Sequence, residues 1–315
     1  MISPRQHAIS LVAVFLALAL GLFLGSGFLG DRVNSLTGAS RDRLGDLEQQ
    51  NQQLNDKLNS ANSFDAAMAP RLIRGALKGD SVLLVTLPNA SDADVDAVKD
   101  SLSQAGASFS GQIVLTDAFV RDENAEQLRT IVDQTIPPGT VLRPELTDSG
   151  GRAGDLLGAL TLHRKAQEST SAADMRTGLQ AMRDGGFIRY ADNAISPATL
   201  VAVVGGDALP ADAGAQGPQI ARFSAALAAR GQGGVLVGRS GSANGGSPIA
   251  IVRSDPSLGN AVSTVDNIDQ QTGRITTILV LADESDGRTG AYGTGPGAKA
   301  ITVGAPATPG GRPAA

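Results

Sequence analysis

The hydrophobic residues of this chain are distributed unevenly, and the longest apolar run comes first. Residues 8–29 are 22 apolar or small residues without a charge. As a helix this run would be roughly 33 Å long, which is enough to cross a bilayer. A cleaved signal peptide is the alternative, because residues 25–27 are small enough for a cleavage site, but its apolar region is normally only about 7–15 residues long. The length therefore favours an uncleaved transmembrane anchor over residues 1–30.

The charges beside this run predict its orientation. Arg5 precedes the run, whereas Asp31 and Arg32 follow it and nearly cancel. The positive-inside rule then leaves the short N-terminus in the cytoplasm and places residues 31–315 outside. We therefore expect a single-pass protein of the cell membrane whose bulk is extracytoplasmic, with the choice between inner and outer membrane left open.

A polar segment with heptad spacing follows the apolar run. If Leu44 is assigned to position a, the apolar residues continue at alternating a and d positions and the flanking positions are polar. This pattern predicts a coiled-coil stalk over residues 31–63, with an amide at one a position that would set the register. A solvated linker rich in Gln and Asn is the alternative, because so short a helix is marginal by itself. We call the side that would meet a partner helix the seam, and it consists of Leu44, Leu47, Asn51, Leu54 and Leu58.

Beyond residue 64 the pattern changes to short apolar strands that alternate with amphipathic helices. Strands are predicted at residues 81–87, 109–115, 199–204, 235–237, 248–252 and 275–282, and helices at 91–105, 123–134, 153–165, 172–184 and 214–229. Ser91 would begin its helix with Asp94 as the capping-box partner. Strands that alternate with helices predict an α/β fold with a mostly parallel sheet flanked by helices.

These patterns predict the domain organisation. We expect an extracytoplasmic α/β domain over residues 64–304, with the option of two subdomains that meet near residues 140–150. The Gly-, Pro- and Ala-rich tail over residues 305–315 is predicted to be disordered.

Composition narrows the function. The net charge of −5 argues against nucleic acid as a partner. Aromatic residues make up only 3% of the chain, so the core is expected to consist of Val, Leu, Ile and Ala. Because there is no cysteine, the outer domain must be stabilised by packing rather than by disulfides, and it has no thiolate for metal or nucleophile chemistry.

Candidate catalytic motifs are weak. His163 is the one histidine of the outer domain, and its place late in a predicted helix is typical of a solvated residue rather than a catalytic base. The segment GRSGS at 238–242 resembles a nucleophile elbow but lacks the final glycine. Gly205 and Gly206 follow a strand, yet no phosphate-binding motif accompanies them. We therefore expect no enzyme activity, no catalytic residue and no cofactor.

Candidate ligand-binding residues are equally sparse. The loop at 239–246 would cradle an anion through its backbone N–H groups, although a plain flexible loop is the simpler interpretation. Met175 and Met182 fall on the apolar face of a predicted helix, which is the usual place of methionine. Asp92 and Asp94 are explained by the positive end of a helix dipole. The residues therefore name no metal site.

Six segments, in order along residues 2–304, carry a family resemblance. They are the opening SPRQHAISLVAVFLALALGLFLGSG, AGDLLG at 153–158, ARFSAAL at 221–227, GRSGSANG at 238–245, STVDNID at 263–269 and YGTG at 292–295. Together they resemble the MctB-type copper transport proteins of actinobacteria. The resemblance implies a role in copper homeostasis at the cell envelope, and copper enters only through it.

Two hypotheses for the function follow. The first is a membrane-anchored, non-catalytic copper transport or homeostasis protein that acts through a complex, as the resemblance implies. The second is a coiled-coil scaffold or regulator of a partner in cell-wall or cell-division machinery, as the seam suggests. Both require the membrane and either a homodimer or another coiled-coil protein as partner.

Overall fold

The computed structural model describes residues 4–25, 28–165, 167 and 169–304. The chain divides into two compact units, residues 1–61 and residues 62–315. The predicted tail at 305–315 and part of the small-residue segment at 25–27 lie outside the described residues.

The first unit is helical. Helix α1 covers Pro4–Gly25, and helix α2 begins in this unit and covers Phe28–Ile73. The described side chains of α1, at residues 9–22, are exposed on all sides of the helix. Within the described residues, no helix combines the length and the apolar character needed to cross a membrane. The transmembrane anchor therefore stays a prediction.

The second unit contains nine further α-helices and seven strands among its described residues. The helices are α3 (Asp92–Gln104), α4 (Asp117–Val120), α5 (Ala125–Gln134), α6 (Ser149–Thr161), α7 (Ala172–Asp184), α8 (Gln216–Ala228), α9 (Pro248–Ser254), α10 (Pro256–Gly259) and α11 (Gln271–Ser285), with a 3-10 turn at Asp122–Asn124. The strands are β1 (Ser81–Thr86), β2 (Ser108–Leu115), β3 (Ile188–Arg189), β4 (Leu200–Val204), β5 (Gly233–Val237), β6 (Ser263–Val265) and β7 (Ala291–Tyr292).

All seven strands form one sheet in the order β3-β2-β1-β4-β5-β6-β7. Every neighbouring pair is parallel except β2 and β3, which pair antiparallel. The α/β part of the predicted fold, a mostly parallel sheet flanked by helices, is confirmed. The chain leads from β1 to β2 on one side and from β4 to β5 on the other. The loops that leave β1 and β4 therefore diverge at the carboxyl edge of the sheet.

The core consists of two layers, one on each face of the sheet. Successive side chains of a strand point to opposite faces, so Leu83 and Val85 of β1 contact one layer and Val82 and Leu84 the other. The first layer is completed by helices α4 to α9, and the second by α3, α11 and the C-terminal end of α2. Both layers are built mainly from aliphatic residues, as the composition predicts.

The most apolar predicted strand, at residues 275–282, is a helix. It forms most of α11, and Ile275, Ile278 and Leu281 are buried on the face that covers the sheet. The Thr277 hydroxyl donates to the Gly273 carbonyl one turn earlier at 2.8 Å, which ties this β-branched residue into the helix. A short apolar run that is buried almost all round has no period that separates a helix from a strand, and the prediction was wrong for that reason.

A second predicted strand, at residues 248–252, is also helical. It begins α9 with Pro248 in the first turn, where the missing N–H of proline removes no helical hydrogen bond. Conversely, strands β3, β6 and β7 were not predicted, since two or three residues are too few to show an alternating pattern.

Candidate functional site

The carboxyl edge of the sheet contains a cavity at the point where the strand order reverses. Open α/β sheets bind ligands in the crevice outside the carboxyl ends of their strands at this point. The cavity has a volume of about 510 Å³ and lies between the loops that follow β1 and β4. It is lined by Pro88, Asn89, Asp117, Val120, Arg121, Asp207, Ala208, Leu209, Pro210, Gln216 and Ile220.

A second cavity of about 350 Å³ lies beside the first, between β1 and β2. The two share Pro88 and Asp117, and we call them together the carboxyl-edge cleft. The second cavity is lined by Thr86, Leu87, Pro88, Ala90, Asp92, Val95, Gln112, Val114, Leu115, Thr116, Asp117 and Arg189. The cleft thus combines carboxylates, guanidinium groups and neutral polar groups, a lining suited to a polar ligand.

Sequence reasoning missed the charged residues of this cleft. Asp117 follows β2 directly after Thr116, and Asn89 and Asp207 come shortly after β1 and β4. The signal was present in the chain, because a polar residue just after a parallel strand lies at the carboxyl edge. It was missed because the strand order that joins these edges depends on tertiary pairing.

The glycine pair after β4 serves close packing rather than ligand binding. A side chain at Gly206 would lie 2.0 Å from the Asn89 carbonyl, so the β1 and β4 loops approach each other only because this residue is glycine. The Asn89 amide oxygen accepts a hydrogen bond from the Gly206 N–H at 3.2 Å. The N–H that a ligand would need is therefore occupied by the protein itself.

A small void of about 20 Å³ adjoins the cleft through Asn89, Asp207, Leu209 and Ile220. Ser242 lines it, is 4% exposed, and its hydroxyl has no hydrogen-bond partner among the described residues. A void of this size accommodates one water molecule. The floor of the cleft therefore offers a polar group with unused hydrogen-bonding capacity.

One wall of this edge is held by an ion network that the sequence did not predict. Ser91 makes no side-chain cap to α3, so the capping-box prediction is wrong. The Asp94 carboxylate instead is buried and accepts a hydrogen bond from Arg239 at 3.2 Å, with Arg274 3.6 Å away. Arg239 also pairs with Asp207 at 3.3 Å. The arginine of the β5 loop thus links helix α3 with the loop that follows β4.

The loop at 239–246 does bind an anion, and that anion is a carboxylate of the same chain. The Ser240 N–H donates to Asp269 at 2.7 Å, and the Ser240 hydroxyl lies 2.9 Å from the other oxygen of the same carboxylate. Gln270 donates to the Ser240 hydroxyl at 3.2 Å. Ser240 is therefore engaged with a carboxylate, an arrangement that differs from the serine–histidine pair of a nucleophile elbow.

The segments STVDNID and YGTG meet at a buried ion pair. Arg253 and Asp266 have side chains that are 3% and 1% exposed and lie 2.5 Å apart. Asp266 also accepts hydrogen bonds from the N–H groups of Thr294 and Gly295, while Arg253 donates to the Tyr292 carbonyl. The resemblance-bearing segments at the C-terminal end of the domain thus build its internal structure.

A second buried carboxylate, Asp155 on α6, lies between two arginines. Arg143 and Arg230 donate to it at 2.8 and 2.6 Å. Burial by itself would raise the pKa of Asp155, but hydrogen bonds from Arg230 and Arg143 and their charges outweigh it and lower the pKa below its ordinary value. This cluster stabilises the loop before α6 against the end of α8.

The described residues contain no group of three or more histidine, cysteine, aspartate or glutamate side chains that would hold a metal ion. His163 was predicted to lie late in a helix but follows the end of α6, and its Nδ1 lies 3.2 Å from the Arg164 carbonyl oxygen. Met175 and Met182 are buried in the first core layer, as their helical spacing predicts.

All five residues of the seam lie on α2, in the first unit. The side chains of Leu47, Leu54 and Leu58 are 56%, 62% and 50% exposed. Asn51 is exposed as well. The side chain of Leu44 lies outside the described ones.

Known proteins resemble this chain over almost its entire length. The model of the family described as "Copper transport outer membrane protein, MctB" matches residues 1–303. Proteins named Copper transporter MctB from Mycobacterium tuberculosis and Mycobacterium bovis are 45% identical over 312 residues, which covers 96% of this chain and 99% of each relative. The protein of the same name from Mycobacterium leprae is 45% identical over 318 residues, with the same coverage.

Proposed function

We propose, from the finding that this chain belongs to the MctB family, that it is a non-catalytic protein of the cell envelope with a role in copper transport or homeostasis. The names of the family and of its relatives support the copper role and the envelope location. The family resemblance carried by the six sequence segments is confirmed. Copper is the cargo in this proposal, and no residue is assigned as its ligand.

We further propose that residues 8–29 anchor the chain in a membrane. The support is their length and their freedom from charge. Apart from Ser10, residues 9–22 of α1 are apolar or glycine, so this part of the helix has no polar face that would favour water. Arg5 before the span favours an N-terminus in the cytoplasm.

The seam is the observation that carries the proposed mode of action. Three leucines at heptad positions are at least half exposed on a long helix, and the helix cannot bury them by itself. A second helix with the same spacing would cover them by knobs-into-holes packing. We propose that the partner helix comes from a second copy of this chain, in parallel register, because both copies then leave the membrane on the same side.

The strength of this interface follows from the exposed area. Full burial of a leucine stabilises by roughly 1.5–3 kcal/mol, so covering a half-exposed leucine contributes about 1 kcal/mol. Two copies contribute the three leucines twice, which amounts to about 6 kcal/mol. Loss of that amount weakens association by roughly four orders of magnitude.

Disulfide cross-linking tests the interface directly. The chain has no cysteine, so Asn51→Cys introduces a single thiol at an a position of the seam. In a parallel dimer the two a positions face each other, and mild oxidation of the full-length protein in membranes should give a covalent dimer. Gln49→Cys, which places the thiol on the outer side of the same helix, is the matched control and should give little dimer.

A test in cells connects the seam to copper. The triple variant L47S/L54S/L58S, expressed in a strain that lacks the protein, should fail to restore the copper content of the cells. The triple variant Q49S/Q52S/Q53S changes three outward-facing positions of the same helix and should restore it. If the leucine variant restores copper content fully, the proposed mode of action is refuted. A defect in growth or cell shape without a change in copper would favour the scaffold hypothesis instead, and a pull-down with residues 31–62 would then find the partner.

A further inference from the structure

We propose that the carboxyl-edge cleft binds a small zwitterion, an amino acid or a short peptide, with its ammonium group at Asp117 and its carboxylate at Arg189. This site is separate from the seam and does not depend on the copper role. The cleft contains unpaired charges of both signs on backbone positions fixed by strand pairing, and neutral polar groups line the same cavity.

The charges of the cleft differ in whether they are paired. Asp207 is paired with Arg239 at 3.3 Å, and Arg121 with Glu123 at 3.6 Å. The side chains of Asp117 and Arg189, by contrast, make no ion pair or hydrogen bond within the described part of the chain. Asp92, in the first turn of α3, is likewise unpaired among the described residues, so two free carboxylates and one free guanidinium line the same 350 Å³ cavity.

Strand pairing holds the backbone of these two residues in place. Arg189 lies on β3 opposite Val114 of β2, and Asp117 begins the turn of helix that follows β2. The Thr116 hydroxyl donates to the Gly186 carbonyl at 2.6 Å, which fastens the end of β2 to the chain just before β3. A ligand with opposite charges at its two ends would thus meet complementary charges that extend from fixed backbone positions.

Neutral polar groups line the same cavity as the charges. Gln112 and Thr86 line the same cavity and contact each other, with the Gln112 amide nitrogen 3.4 Å from the Thr86 hydroxyl. The amide oxygen of Gln112 is left to accept a hydrogen bond from a peptide N–H or an ammonium group. The neighbouring 510 Å³ cavity continues the cleft past Asp117 and gives room for a further residue of a peptide.

Other ligand classes fit this lining less well. Three carboxylates, Asp92, Asp117 and Asp207, line the cleft and would repel a phosphate ester. The backbone N–H of Gly206 donates to the Asn89 side chain and is therefore not free for a phosphate oxygen. A neutral sugar would leave the free charges of Asp117 and Arg189 without partners.

The test is titration of the full-length protein in detergent micelles with L-alanyl-L-alanine, followed by calorimetry. We expect saturable binding, and much weaker binding of the N-acetylated, C-amidated dipeptide, which lacks both charges. Because both side chains are exposed to solvent, Asp117→Asn and Arg189→Gln should each raise the Kd about two- to fivefold.

Asp100→Asn is the control for the change of charge, since Asp100 is exposed on α3 and does not line the cleft. It should leave the Kd unchanged, and thermal unfolding of all three variants should match that of the wild type. Absence of saturable dipeptide binding would overturn the proposal. So would equal affinity for the blocked dipeptide, or a Kd for Asp117→Asn that equals the Kd for Asp100→Asn.

Discussion

Glu284 is a buried carboxyl group whose ionisation should govern how the stability of the α/β domain depends on pH. It lies near the C-terminal end of α11, is 2% exposed, and accepts a hydrogen bond from the Ser263 N–H at 2.9 Å. Burial raises its pKa from 4.5 to about 7, although hydrogen bonds from Ser263 and Gly234 lower it in part. The perturbation we consider is Glu284→Gln, which keeps the shape and removes the ionisation.

Whether the free energy of unfolding rises or falls with pH depends on the number of protons bound in the folded and unfolded states. Between pH 4.5 and about 7 the folded chain holds a proton on Glu284 that the unfolded chain has released. The free energy of unfolding therefore falls as the pH rises through this window and levels off above it. A shift from 4.5 to about 7 corresponds to a loss of roughly 3 kcal/mol, taken as an upper value.

Glu284→Gln should remove this loss. Relative to the wild type, the variant should gain about 3 kcal/mol of stability between pH 4.5 and pH 8, whatever its absolute stability at pH 4.5. The measurement is urea unfolding of the full-length protein at several pH values, expressed as the difference between variant and wild type. The difference cancels the contributions of all other titrating groups.

Glu145→Gln makes the same chemical change at an exposed position and is the control. Its difference from the wild type should stay nearly constant over the same pH range. A constant difference for Glu284→Gln as well, or a difference that moves in the opposite direction, would refute the argument that burial keeps this carboxyl group protonated.

Two further predictions concern the other buried carboxylate and the membrane topology. Asp155→Asn leaves two arginines without their anion and should lower the free energy of unfolding by about 3 kcal/mol at pH 7. Because the folded pKa of Asp155 is lowered, this difference should be present above about pH 4 and should shrink as the pH falls through the folded pKa, and an unchanged midpoint in urea at pH 7 would contradict it. A reporter that is active only outside the cytoplasm, fused after Ala315, should be active in cells, and an inactive reporter on a stably produced fusion would disprove the proposed topology.

Several features of this chain follow from local patterns. The alternation of apolar strands with amphipathic helices predicted the parallel α/β sheet, because each element needs one face or stripe for the core whatever its neighbours are. Helix α7 has the predicted bounds, since Met175, Leu179 and Met182 recur on one face and Gly185 follows the last residue. The seam was likewise visible as a heptad pattern, although its partner was not.

The tertiary structure decided what local patterns leave ambiguous. The run at 275–282 is apolar nearly all round, so only its packing as α11 against the sheet shows that it is a helix. Asp94 looked like a helix cap because its partner Arg239 lies far away along the chain and comes close only through the strand order. The carboxyl-edge cleft arises in the same way, from loops after β1, β2 and β4 that no sequence spacing connects. The sequence by itself therefore determined most of the elements and the family. The positions of the charged side chains relative to one another depended on long-range strand pairing, which has no local signal.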